Sequence, residues 1–271
     1  MLKLYKAGNS ICSQKVVITL HEKNLEWETT NINLFKNEQY SPAYLKLNPK
    51  GVVPTLVNGD DIVNESTLIC EYLDQLYPEP ALVPDKALSR TKMRKWSKAV
   101  DEHLFVGARE ISFSAMFRQK LKEMTPEQRE TRFRNVGDPE RRARYTSTYE
   151  LGTESPYVFQ AVANFEKLFT DMEETLADGR TWLVEDQLSL GDINLMPYVA
   201  RLAYLQLLDI WISERPHVQS WWQTTQETES FRKGITEALS EKEYAAMKEH
   251  GAKIRDPITA LRETYVRDYL S

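Results

Sequence analysis

Cysteine is scarce in this chain: Cys12 and Cys70 are the two it has in 271 residues. That supplies neither a disulfide framework nor a thiolate metal set. Histidine is scarce as well. His21, His103, His217 and His250 are scattered without metal-ligand spacing, so no metal is expected. No apolar run approaches the length of about 18 residues that a membrane span needs. Met1-Leu2-Lys3-Leu4-Tyr5 lacks the charged and then apolar regions of a secretion signal. Positive charge is in deficit, with 35 Lys and Arg against 40 Asp and Glu. These absences argue against nucleic-acid and membrane partners, and the expected location is cytoplasmic.

What is present is an ordinary globular mixture, 41% hydrophobic and 28% charged, enough for one large core or two smaller ones. The first 80 residues predict the order β-α-β-α-β-β-α. Leu2 to Tyr5 reads as a strand. Ser13 to Lys23 reads as a helix, with Val16, Val17 and Leu20 at helical spacing. "LEWETTNINL" alternates like a strand, and "SPAYLKLNPKG" is a short helix ending in Asn-Pro and Gly. "VVPTLVNGDDIVNES" predicts a hairpin around Asn58-Gly59. "STLICEYLDQLYP" predicts an amphipathic helix with Leu68, Ile69, Tyr72, Leu73 and Leu76 on one side. That order implies a mixed four-stranded sheet covered by helices. Residues 81–88 read as a linker, and from 89 to 271 no strand is evident. The class expected is therefore α/β for 1–80 and a larger all-α domain for 89–271. Within the second domain, about 122–155 is polar with little periodicity, and about 231–271 is a helical but weakly hydrophobic tail.

Four stretches bear on chemistry. Ser10, Cys12 and Ser13 fall at the first strand-to-helix turn. They are either plain capping residues or the place where a thiol or anion binds. Pro54 opens a strand. If the Val53–Pro54 bond is cis, Val53 turns its backbone groups outward, where an extended peptide could add to them; a trans proline in an ordinary loop is the plainer reading. Glu65 and Ser66 stand at the start of the amphipathic helix, where Ser66 could meet a carboxylate and Glu65 an amine, or where Ser66 simply caps. Ser189 and Asp192 have capping-box spacing and read as structural.

Together these residues resemble the glutathione S-transferases. "LKLY", Ser10 to Ser13, "NPKGVVPTL", "NESTLICEYL" and "SLGDINL" occur in that family's order and spacing, over residues 1 to roughly 230. The resemblance implies a thioredoxin-like first domain, a cis Val53–Pro54 bond, and glutathione as cosubstrate. It further implies that Val53 pairs with the cysteinyl part of glutathione, that Glu65 and Ser66 hold the γ-glutamyl end, and that Gln39 and Lys50 hold the glycyl carboxylate. One of Ser10, Cys12 and Ser13 would face the sulfur, with Ser13 favoured and Ser10 competing. Tyr5 lies inside the first strand, so the chain resembles the serine and cysteine types rather than the tyrosine types.

Within the family the chain is most similar to the bacterial β-etherases, which cleave lignin β-aryl ethers, through "LKLY", the "NPxGxVPxL" pattern, the "STxICEYL" pattern and the insertion at about 122–155. It departs from them at Cys12, where Asn is expected. The function implied is attack of glutathione thiolate on an apolar aromatic electrophile by a homodimeric enzyme. General conjugation or peroxidase activity, or a ligand-binding member without turnover, are the competing readings. The second substrate is expected between the domains, against the sulfur. Phe105, Arg109 and Phe113 recur at i, i+4 and i+8 on a predicted helix and are assigned to that pocket, with Tyr204 opposite; core packing and a solvated charge are the plainer alternative.

Overall fold

The computed structural model describes residues 1–134 and 136–270, with the side chains of Phe35 and Lys120 outside that description; Asn135 and Ser271, which belong to the expected insertion and tail, also lie outside it. In chain order the main elements are β1 (Leu2–Lys6), α1 (Ile11–Glu22), β2 (Trp27–Asn31), α2 (Pro42–Leu45), β3 (Thr55–Asn58), β4 (Asp61–Asn64), α3 (Ser66–Leu76) and α4 (Ala87–Ala99). They continue with α5 (Phe105–Ser112), α6 (Arg118–Lys122), α7 (Pro126–Arg134), α8 (Pro139–Leu151), α9 (Pro156–Leu176), α10 (Leu190–Tyr204), α11 (Asp209–Ile212), α12 (Pro216–Glu227), α13 (Glu229–Phe231), α14 (Glu241–Ala252) and α15 (Arg255–Tyr269). Wider π-type turns fill Val100–Leu104 and Phe113–Phe117. No strand follows Asn64 among the described residues. Two compact units result: residues 1–98, 178–197 and 220–240, and residues 99–177, 198–219 and 241–271.

In the first unit the sheet order is β2-β1-β3-β4. β1 runs parallel to β2, with Leu4 opposite Thr29, and antiparallel to β3, with Leu4 opposite Leu56. A parallel neighbour requires a crossover, and α1 supplies it. The β3–β4 hairpin turns between Asn58 and Asp61, as the Asn-Gly pair predicts. Leu2, Leu4 and Leu56 of the sheet are buried with Val16, Ile18 and Leu20 of α1 and Ile69 and Leu73 of α3. Residues 232–236 close on α1: a Cβ on Gly234 would sit 2.7 Å from Ile18 Cγ1, so the helix approaches at a distance only glycine permits.

The expected face of α3 needs correction. Ile69, Cys70 and Leu73 are buried, but Leu68 is 57% exposed and Leu76 44%. Leu68 and Leu76 lie two turns apart on the ridge that points away from the sheet.

Asp192 confirms the capping reading and extends it. Its carboxylate accepts from Ser189 N–H (3.2 Å), Ser189 Oγ (2.9 Å), Leu183 N–H (2.9 Å) and Trp221 Nε1 (3.0 Å), while Ser189 Oγ accepts from Gly191 N–H (3.2 Å). Burial pushes the Asp192 carboxyl up from its usual range, against those donors.

In the second unit α9 is the buried spine, carrying Val158, Ala161, Phe165, Phe169 and Met172 into the core. The stretch expected to lack periodic structure is helical. Thr125 and Gln128 cap each other reciprocally at the start of α7: Gln128 N–H donates to Thr125 Oγ1 (3.2 Å) and Thr125 N–H to Gln128 Oε1 (3.0 Å). Asp138 caps α8 by accepting from Arg141 N–H (2.8 Å), and Pro139 opens it. These helices bury little, which is why hydrophobic spacing does not reveal them.

Candidate functional site

The turn after β1 puts three polar side chains at the N-terminus of α1. Ser10 is the cap, its Oγ accepting from Ser13 N–H (3.3 Å). Ser13 is 1% exposed and its Oγ accepts from Ala7 N–H at 3.4 Å, an arrangement that leaves its own proton available to donate. Cys12 is half-buried on the same first turn. The capping reading of the turn therefore holds: both serines satisfy backbone amides at the N-terminal end of a helix of twelve residues.

A second group gathers around the loop before β3. The Val53–Pro54 bond is cis, as expected; Glu79–Pro80 is cis too, which the sequence did not suggest. Among the described residues neither the N–H nor the C=O of Val53 has a hydrogen-bond partner. That leaves one donor and one acceptor at a strand start, the pattern that takes an added extended segment. Gly51 has φ +59, and a Cβ there would lie 2.7 Å from the Tyr40 ring, so the loop is as tight as the chain allows. Gln39 is buried, and its Oε1 has no partner among the described residues.

Glu65 and Ser66 stand beside this loop. Glu65 has φ +68, a conformation that costs on the order of 1–3 kcal/mol and clusters at ligand sites. Its carboxylate meets Lys50 Nζ at 2.6 Å, which holds the ammonium pKa above its usual value through that hydrogen bond and the opposite charge. Ser66 is the first residue of α3, where backbone amides lie outside the helix's own ladder. This region therefore gathers an ion pair, a buried amide oxygen without a partner among the described residues, and the unpaired N–H and C=O of Val53.

One buried cation under this region was not anticipated. Lys15, in the first turns of α1, is fully buried and donates to Thr67 Oγ1 at 2.6 Å. Sequence spacing marks the apolar positions of α1 and gives no sign that a lysine among them faces inward.

In the second unit Phe105, Arg109 and Phe113 join one cluster through a residue the sequence reading missed, Tyr145 of α8. The Arg109 guanidinium lies 5.5 Å from the Phe105 ring centre and 5.1 Å from that of Tyr145. Phe113 stacks on Tyr145 at 5.1 Å and 14°. Arg141 approaches the same ring at 5.5 Å. Arg109 also pairs with buried Glu110 (3.2 Å), whose other oxygen accepts from Thr148 Oγ1 at 2.5 Å. Phe113 is core, Phe105 is 39% exposed, and Arg109 lies between them. Tyr204 sits on α10 with its ring edge-on to Tyr244 of α14 at 5.3 Å. A Tyr four residues after Arg141 on a capped helix was the available signal for Tyr145; the low hydrophobicity of α8 hid it.

Among the described residues no cluster of His, Cys, Asp and Glu could hold a metal ion, and no helix is long and apolar enough to cross a membrane.

Residues 9–76 match the glutathione S-transferase N-terminal domain and residues 132–223 the C-terminal domain. Protein LigF of Sphingobium sp. strain SYK-6 is 37% identical over 201 residues, 71% of this chain and 75% of that one. The crystal structure titled beta-etherase LigF from the same strain superposes with a TM-score of 0.77 and 28% identity, covering 87% of this chain and 99% of that one. A zeta-class glutathione S-transferase of Euphorbia esula is 46% identical over 83 residues, 31% of this chain and 37% of that one. The chain belongs to the glutathione S-transferase family, an enzyme family that takes glutathione as cosubstrate.

Proposed function

We propose that this glutathione transferase cleaves β-aryl ethers of lignin-derived compounds. Glutathione thiolate attacks the carbon that bears the aryloxy group; the C–S bond forms as the C–O bond breaks, and the electron pair leaves on a phenolate. The observation that carries this reading is the likeness to LigF, in sequence over 75% of that protein and in structure over 99% of its crystallised chain. Incubation with glutathione and β-aryl ether model dimers of both configurations tests it. Release of one equivalent of phenol per thioether formed is expected. Turnover of chloronitrobenzene or peroxide substrates without ether cleavage would point to general conjugation or peroxidase activity, and retention on immobilised glutathione with no turnover at all to a binding protein.

Thiol activation needs no base. A free thiol titrates near pH 8.5, and a shift of about two units, roughly 2.7 kcal/mol, makes it mostly ionised at neutral pH. A hydroxyl donating to the thiolate contributes about 1.5–3 kcal/mol and the helix terminus roughly 0.3–2 kcal/mol. In this reading Ser13 donates to the sulfur with Ser10 and Cys12 beside it, Val53 pairs with the cysteinyl backbone, Gln39 and Lys50 face the glycyl carboxylate, and Glu65 with Ser66 takes the γ-glutamyl end. The division into a glutathione domain at 1–80 and a helical substrate domain from 89 belongs to the same proposal, as does a cytoplasmic setting. Glu65→Ala and Ser66→Ala should each raise the KM for glutathione about fivefold while kcat stays within about twofold, because both act away from the sulfur. Steady-state kinetics at varied glutathione check this, and an unchanged KM in both variants removes them from the site.

The aryl substrate is assigned to Phe105, Arg109, Phe113 and Tyr204, with the ring of Tyr145 added to them. Rings would stack on an aryl group. Arg109, with its guanidinium plane fixed by Glu110, would donate to the departing phenolate. Arg109→Ala should then lower kcat about fivefold for ethers with poor leaving groups and least for nitrophenyl ethers. Equal loss across the series, or none, returns Arg109 to a packing role.

A homodimer is part of the proposal. Ile62, Leu68, Leu76 and Leu88 are large apolar side chains left exposed on the first unit, and the ridge of α3 that carries Leu68 and Leu76 is what a second copy would cover. Sedimentation of the wild type against Leu68→Glu reads the result.

A further inference from the structure

Tyr44, Asn48, Thr55 and Asn64 form a polar network under the loop that carries Val53. Tyr44 Oη donates to the carbonyl of Val52 at 2.7 Å, and Asn48 Nδ2 donates to the same oxygen at 2.9 Å. Thr55 Oγ1 stands at the centre: 3.0 Å from Tyr44 Oη, 3.3 Å from Asn48 Nδ2 and 2.8 Å from Asn64 Oδ1. Asn64 Nδ2 in turn donates to the carbonyl of Leu47 at 2.9 Å. Asn48, Tyr44 and Thr55 are buried, and the contacts of Thr55 Oγ1 with Tyr44 and Asn48 lie away from water, where a lost partner is costly. None of the four side chains belongs to the residues assigned to glutathione.

Two features of backbone geometry give the network a directional consequence. A trans peptide is planar, so the N–H of one residue points opposite to the carbonyl of the residue before it. The Val52–Val53 bond is not among the cis bonds of the chain. Pulling the Val52 carbonyl inward with two donors therefore turns the Val53 N–H outward. At the other end of the network Asn64 immediately precedes Glu65, the residue with φ +68. A single centre thus sets both the donor that would meet the cysteinyl carbonyl of glutathione and the backbone that presents Glu65.

We propose that Thr55, with Tyr44, Asn48 and Asn64, is a positioning centre for glutathione: it couples the Val53 peptide to the Glu65 turn and so sets affinity for the tripeptide without touching it. The inference rests on the assignment of Val53 and Glu65 to glutathione. Thr55→Val keeps the shape and removes the hydroxyl; Thr55→Ser keeps the hydroxyl; Tyr44→Phe keeps the ring and removes one donor to Val52.

The experiment measures glutathione Kd by calorimetry, KM and kcat with one electrophile, and thermal midpoints, for the wild type and all three variants. Thr55→Val should raise Kd and KM together about tenfold, Tyr44→Phe about threefold, with kcat at saturating glutathione within about twofold and Thr55→Ser close to wild type. Lower thermal midpoints with wild-type Kd and KM in Thr55→Val and Tyr44→Phe would overturn the proposal and leave a merely structural network. If Thr55→Val does not fold, Tyr44→Phe decides. A wild type that binds no glutathione is a different result, since it overturns the glutathione reading itself before any variant is compared.

Discussion

Replacing Ser13 by Ala should raise the thiol pKa of enzyme-bound glutathione by about one to two units, the size of one charge-assisted hydrogen bond. Absorbance of the thiolate, titrated in the binary complex, reads the shift directly. The pH–rate profile moves upward by the same amount. Below the wild-type pKa the rate should fall by only about three- to tenfold, because a more basic thiolate is also a better nucleophile and recovers nearly half the loss. The loss shrinks between the two pKa values, and well above the shifted one the variant should match or exceed the wild type. The sign follows from which form the hydroxyl stabilises: Ser13 would donate to the anion, so its removal favours the thiol. Ser10→Ala separates the two serines. Ser10 already accepts from Ser13 N–H as the cap of α1, and its loss should cost about 1 kcal/mol of stability whether or not it meets sulfur. A pKa shift in the Ser10 variant alone transfers the role to Ser10. No shift in either variant means that no hydroxyl of this turn holds the sulfur.

The elements around that turn were legible because each has a local cause. Alternation in Leu2–Lys6, a Ser cap before α1, Asn58-Gly59 between β3 and β4, and Pro54 at a strand start are signals carried by a few adjacent residues. The same holds for Ser189 and Asp192, three apart and in mutual contact. What was not legible depends on neighbours distant in the chain. The apolar residues of α3 look alike in sequence, yet only the sheet decides that Ile69 and Leu73 turn inward while Leu68 and Leu76 stay out. Lys15 is buried with its Nζ donating to Thr67, 52 positions away. Tyr145 reaches Phe113 across 32 positions, from a helix with almost no apolar face. The capping signal of α7 was in plain view as Thr125-Pro126-Glu127-Gln128 and was outweighed by weak hydrophobic spacing. The residues proposed for glutathione show the same division. Val53, Glu65 and Ser66 stand out by motif, but the network around Thr55 joins Tyr44 to Asn64 and is visible only in the fold.

Glu166→Ala should be strongly destabilising to the second unit. Glu166 is buried on α9, and its carboxylate meets two cations: Arg215 Nη2 at 2.5 Å and Arg262 Nε at 2.6 Å. Arg262 belongs to α15, so this carboxylate ties the tail to the spine of the unit; Ile258 and Tyr265 are buried beside it on the same helix. Removing the carboxylate leaves two guanidinium groups without their shared anion, although Arg215 still donates to Thr170 Oγ1 (3.0 Å) and to the Trp211 carbonyl. Breaking a buried pair in this way costs about 3–5 kcal/mol. For a domain of this size that lowers the thermal midpoint by on the order of 10 °C. Burial alone would raise the Glu166 pKa, but the hydrogen bonds from Arg262 and Arg215 and their charges outweigh it and hold the carboxyl below its usual range. A group whose pKa is depressed on folding contributes stability above its unfolded value and loses it as pH falls through the folded one. The gap between wild type and Glu166→Gln should therefore be full at neutral pH, begin to close below about pH 4.5, and vanish once the native carboxyl is protonated. Calorimetric scans of both proteins from pH 7 to pH 3 measure it. A gap that stays constant down that series would mean that the ionised carboxylate contributes nothing to holding the tail.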